Sequence, residues 1–138
     1  MRIAGHPVHP MLVHFPIASW TAAVAADLSS RVWALPELTK AAFVCVAAGL
    51  VTGALAIMFG FLDYAGIETG HPAQRTATRH MLVMGVAWLV FLARLAAGWQ
   101  AVSPWLTVAD VVGFLVMLCG AQLGGSLVYR YRVGVSAH

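Results

Sequence analysis

Four apolar stretches, nearly free of charge, constrain this chain more than any other feature of its sequence. A helix rises 1.5 Å per residue, so about 20 apolar residues cross the ~30 Å hydrocarbon layer of a bilayer. Inside that layer each backbone N–H and C=O must find a partner within the protein, and a helix supplies those partners from its own backbone. The stretches fall at about 10–28, 39–62, 79–98 and 105–129. The connections between them carry the turn residues: Pro36 near 29–38, Gly66, Gly70 and Pro72 in 63–78, and the Ser103–Pro104 pair. Short connections make neighbouring helices antiparallel. The expected fold is therefore all-α, a single domain over residues 1–138 forming an integral membrane four-helix up-down bundle.

Composition supports this reading and excludes others. Only 9% of residues are charged and 61% are hydrophobic, whereas a soluble domain carries roughly a quarter charged residues. The net charge of +3 sits beside the spans, where it directs topology, and no nucleic-acid partner is expected. No short apolar stretch ends in a small-residue cleavage site, so the first span is expected to stay as an anchor. Cys45 and Cys119 fall at different depths and read as small buried hydrophobes rather than a disulfide. Arg2, Arg75, Arg79, Arg130 and Arg132 lie on one side, against Arg31, Lys40 and Arg94 on or near the other. Five against three favours both termini in the cytoplasm.

Several residues within the spans suggest how the bundle is tied. Pro10 suits a first helical turn, and Pro16 is expected to kink the first helix near His14. Gly49 and Gly53 form one small-residue face, and Gly113, Gly120 and Gly124 another. Such faces serve close packing inside a bundle or a homodimer contact. An intramembrane charge needs a partner, and Arg94 with Asp110 is the pair expected between the third and fourth spans. Gln122 is expected to hydrogen-bond between helices. Trp33, Trp99 and Trp105 read as an interfacial belt, with Trp20 and Trp88 deeper.

The chemistry-bearing residues are the histidines. His6, His9 and His14 lie in GHPVHPMLVHFP, and His71 and His80 in GHPAQRTATRH; these five of the six histidines fall on one membrane face. His138 ends the sequence. Imidazole ligates metals and haem and titrates near neutral pH. His9 and His14 are five residues apart, about 140° around a helix, so they cannot share a face. With the helix starting near Pro10, His9 caps its end and His14 lies inside. The expected constellation is then His14 from the first span facing His80 from the third, with His9 as first substitute and His6 and His71 as further metal candidates.

Neighbouring residues complete the expectation. Arg75, Arg79 and Arg130 are placed to hold acidic groups such as haem propionates, and Asp63 to orient a histidine through its other ring nitrogen. The bland readings are topology signals for the arginines and a loop cap for Asp63. Met11 beside His6, His9 and His14 gives a ligand set that suits copper or zinc. There is no HExxH, CxxC, CxxCH or phosphate loop, so any haem would be bound non-covalently.

GHPVHPMLVHFPIA, FLDY, the RxxxRH before the third span and GGSLVYRYRVGV together resemble a bacterial family of predicted four-span membrane proteins, domain of unknown function number twenty-two thirty-one. The resemblance covers nearly the whole chain, and HPxHPxxxHFP is its most specific signature. It implies a cytochrome-b-like module of the bacterial cytoplasmic (inner) membrane, working beside Rieske or c-type haem proteins. The family pattern emphasises His9, His14, Asp63, His80 and the Gly-Gly pair before Tyr129 and Arg130.

Residues and resemblance converge on one leading expectation: a small b-type haem membrane protein in electron transfer, an electron carrier or redox subunit rather than a stand-alone enzyme. Its partners would be the bilayer and a quinone or redox protein. The alternatives are a copper- or zinc-binding membrane protein, and a non-catalytic subunit that docks a soluble redox partner.

Overall fold

In the computed structural model, which describes residues 2–3, 6–98 and 103–134 with side chains from residue 7 onward, the helices follow the apolar stretches. A two-residue hairpin opens the fold, with β1 (Arg2–Ile3) antiparallel to β2 (His6–Pro7). Helix α1 (Val8–Leu12) and helix α2 (His14–Trp33) make the first span, Val8–Trp33. Helices α3 (Pro36–Ala65), α4 (Ala73–Ala96) and α5 (Pro104–Tyr129) make the other three of four spans long and apolar enough to cross a membrane.

The break between α1 and α2 at Val13 has a local cause. Pro16 has no N–H to offer the carbonyl of Leu12, and its ring crowds that turn. The chain still runs on through the break, with Val13 N–H bonded to the His9 carbonyl and Ile17 N–H to that of Val13. Helix α2 ends where Ala34 takes a left-handed conformation, φ 51°. Pro36 then sits in the first turn of α3, where a missing N–H costs nothing. At α5 the Ser103 side chain caps Trp105 N–H, again with proline in the first turn.

Several boundaries differ from those read in the sequence, among them the end of α2, at Trp33 rather than near 28, and the start of α3, at Pro36 rather than near 39. Helix α1 begins at Val8 rather than near Pro10, so His9 is helical and not a cap. Helix α3 extends to Ala65, past Asp63. Helix α4 begins at Ala73, and the loop expected to run to Thr78 closes by Pro72. Apolar length marks the hydrocarbon layer, not the helix, and the run Ala73 to Thr78 is good helix former that happens to be polar.

The bundle closes on a core of Trp20, Ala23, Val46, Leu50, Ala87, Phe91 and Met117. Without a hydrophobic drive between helices in lipid, close approach matters most, and the glycines supply it. A Cβ on Gly49 would collide with the Trp20 indole, and one on Gly120 with Met84. Both small-residue faces are thus used inside the bundle. The outer surface is apolar, with Val44, Val51, Leu82, Leu89 and Leu115 exposed toward the bilayer.

The end near Trp33 and Trp105 holds a buried charge cluster. Arg94 Nε donates to Asp110 Oδ2 at 3.1 Å, the pair expected from depth alone. The same guanidinium lies 3.7 Å from Asp27 Oδ1, and Thr107 donates to Asp27 Oδ2. Arg31, exposed at the rim, donates to Thr107 at 2.9 Å and to the Ser103 carbonyl at 3.0 Å. Gln122 does not bridge helices: it is exposed, and its carbonyl accepts from Ser126. Trp99 lies outside the described residues.

Candidate functional site

At the opposite end, between the two helical hairpins, lies a cavity of about 470 Å³, within the range of small-molecule and cofactor sites. His9, His80, Trp20, Trp88, Met84 and Tyr64 are among its lining residues. His9 reaches it from α1 and His80 from the second turn of α4, and both rings are half-buried. Their centroids are 6.2 Å apart with planes crossing at 82°.

Each ring is held by the span that follows its own. His9 Nδ1 lies 2.8 Å from the Ala56 carbonyl on α3, and His80 Nδ1 lies 2.8 Å from the Gly120 carbonyl on α5. A carbonyl can only accept, so each Nδ1 carries the proton. In a neutral ring Nε2 is then a bare lone pair, the form in which imidazole ligates a metal. Two glycines make room for the rings. A Cβ on Gly60 would lie 3.1 Å from His9 Cε1, and one on Gly124 would lie 3.0 Å from His80 Cε1.

This donor set fits a metal centre with two protein ligands. Imidazole nitrogen binds transition metals at about 2 Å, and two rings on one cavity with centroids 6.2 Å apart are close enough to share one ion. No group of three or more His, Cys, Asp or Glu side chains able to hold an ion occurs among the described residues. A structural zinc site wants four such ligands. The centre suits a group whose remaining ligands come with it.

The fold gathers some of the sequence candidates and separates others. The expected His14–His80 pairing is replaced by His9–His80. His14 borders the cavity but is exposed, with Nδ1 3.4 Å from the Met11 carbonyl of its own turn. The two fall on different helices across the break at Val13: His9, in α1, is half-buried against α3, and His14, at the start of α2, is exposed. His71 does not line the cavity: its Nδ1 accepts from Ala73 N–H at 3.1 Å and its ring meets Tyr131 edge-on at 6.4 Å. Arg75, Arg79 and Arg130 are exposed and none borders the cavity. Arg130 stands 5.6 Å over the Tyr131 ring instead. Asp63 does line the cavity, half-buried. Met11 is exposed. The side chain of His6, and all of His138, lie outside the described residues.

Gly60 and the carbonyls of Ala56 and Gly120 were not legible as site residues. Gly124 belongs to the Gly-Gly pair that the family resemblance emphasises, but apart from that it reads as an ordinary small residue, and only the contact with His80 shows what it does.

Fold and cavity define a multi-pass membrane protein, a four-helix bundle in contact with lipid, with two imidazoles turned into a cavity at one end. The chain belongs to the family of predicted membrane proteins DUF2231, whose model matches residues 5–137. No curated protein and no solved structure matches it.

Proposed function

We propose that this protein binds haem b non-covalently through His9 and His80 and carries electrons within the membrane as a redox subunit. The observation that carries this reading is the pair of half-buried rings 6.2 Å apart, each with Nδ1 on a backbone carbonyl and Nε2 left for a metal. Haem carries most of its iron's ligands itself, so His9 and His80 would be what the protein has to supply to hold it. Its iron would supply one-electron chemistry. The chain's own residues bind and orient: Gly60 and Gly124 admit the rings, and the backbone bonds hold their tautomer. Trp20, Trp88 and Met84 keep the cavity apolar, which would limit water access and lower the local dielectric, and so tune the potential.

Electrons would pass to or from a quinone in the bilayer or a redox protein at its surface. The arginine distribution supports placing both termini, and with them this site, on the cytoplasmic side of a bacterial inner membrane.

An absorption spectrum of detergent-purified protein, oxidised and then reduced with dithionite, tests the reading, with metal analysis on the same sample. A Soret band sharpening on reduction, with α and β bands and iron at haem stoichiometry, is expected. A featureless spectrum after haem-replete expression overturns it. Copper or zinc in such a sample would transfer the two imidazoles to a different metal.

A further inference from the structure

We propose that the cavity end is a duplicated half-site, in which each helical hairpin seats one imidazole in a glycine notch of its own second helix. Gly60 and Gly124 are then positioning residues that set the orientation and tautomer of His9 and His80. The inference deepens the two-imidazole centre and rests on that reading for the ligand, though not for the geometry.

The two notches match atom for atom. From Gly60 the nearest ring atoms of His9 are Cε1 at 3.1 Å, Nδ1 at 3.2 Å and Nε2 at 3.7 Å from a Cβ position. From Gly124 the nearest atoms of His80 are Cε1 at 3.0 Å, Nδ1 at 3.3 Å and Nε2 at 3.8 Å, in the same order. In both, the carbonyl that holds Nδ1 belongs to the residue four before the glycine, Ala56 or Gly120. A helical carbonyl points at the N–H four residues on, and the side chain there leans back over it. Glycine at that position uncovers the carbonyl to a donor from outside. Notch and hydrogen bond are therefore one device.

The repetition continues down the bundle. Trp20 follows His9 by eleven residues and Phe91 follows His80 by eleven; Gly49 precedes Gly60 by eleven and Gly113 precedes Gly124 by eleven. Eleven residues are about three helical turns, so each pair shares a face. The lower members also pack alike, Gly49 against Trp20 and Gly113 against Phe91. Like then meets like across the centre, His9 with His80 and Trp20 with Phe91. Such pairing requires a pseudo-two-fold axis between the hairpins, a parallel repeat with its site at the repeat interface. Both halves open on the same tripeptide, Gly-His-Pro at 5–7 and at 70–72.

Nitrogen-15 spectra of histidine-labelled, full-length protein, purified without haem in detergent, read the tautomer of each ring directly. At a pH well above the imidazole range, wild type is expected to show the proton of His9 and of His80 on Nδ1, opposite to free histidine. Gly60→Ala should remove that signature from His9 alone and Gly124→Ala from His80 alone. Val51→Ala, on the lipid face of α3, should change neither. Alanine is the better helix former by up to about 1 kcal/mol, so these variants keep their helices. An Nε2 proton on either wild-type ring overturns the inference, as do glycine variants with unchanged ring signals. In haem-loaded protein each glycine variant should also shift the reduction potential. Failure of wild type to take up haem would end the proposed function while leaving the tautomer result to decide the half-site.

Discussion

Trp20 lies flat on Phe91, ring centroids 4.5 Å apart and planes 15° from parallel, at the centre of the bundle. The pair joins α2 to α4, and so one hairpin to the other, eleven residues along from His9 and His80. Phe91 is fully buried and Trp20 nearly so.

Phe91→Ala should loosen that join. Truncating a buried aromatic costs about 3–5 kcal/mol in soluble proteins; in lipid the transfer part is small, which puts the expected loss toward about 3 kcal/mol. Unfolding of the purified protein in a graded mixture of denaturing and mild detergent measures it. Leu82→Ala, on the lipid face, should stay within about 0.5 kcal/mol of wild type.

Gly49 offers a sharper steric test. Gly49→Val drives a side chain into the Trp20 indole, and overpacking of this kind costs about 1–3 kcal/mol. Gly85→Ala, where a Cβ meets nothing within 4 Å, should be neutral or stabilising by up to about 1 kcal/mol. The same detergent titration compares them.

Arg94→Met should be among the most damaging substitutions. It strands Asp110 and leaves Asp27 with Arg31 at 3.9 Å as its charge partner, the two carboxylates each at most 1% exposed, and breaking a buried pair by removing one partner costs about 3–5 kcal/mol. Adding Asp27→Asn and Asp110→Asn to Arg94→Met should recover much of that loss, because no charge is then left unpaired. Thermal unfolding followed by circular dichroism separates the single from the triple variant.

On the proposed function, His9→Ala and His80→Ala should each abolish the haem spectrum, whereas His14→Ala should retain it with at most a shifted band. Absorption of the three purified variants decides this; loss in His14→Ala with retention in His9→Ala would move the ligand assignment back to the inner histidine.

The arithmetic of the bilayer made part of this protein legible. Once a stretch must pair its own backbone and cross about 30 Å of hydrocarbon, apolar length identifies the helices, and an even number of crossings returns His9 and His80 to one side. Depth along the spans likewise predicted Arg94 with Asp110. Depth also put Asp27 near the same span ends, but its place beside Arg94 was not legible, because its helix only meets α4 after the bundle closes.

What the sequence could not decide was rotation. His9 and His14 would stand about 140° apart on one unbroken helix, and which one enters the bundle depends on how α1 and α2 pack against α3 on either side of the break at Val13. Gly60 and Gly124 read as ordinary small residues until the helices opposite present a ring to each. Sequence determined the spans and their order, because the membrane imposes length and pairing on each helix separately. Tertiary structure chose the facing histidine, the glycine notches and the repeat between hairpins, because those are relations between faces of different helices and exist only once the faces are packed together.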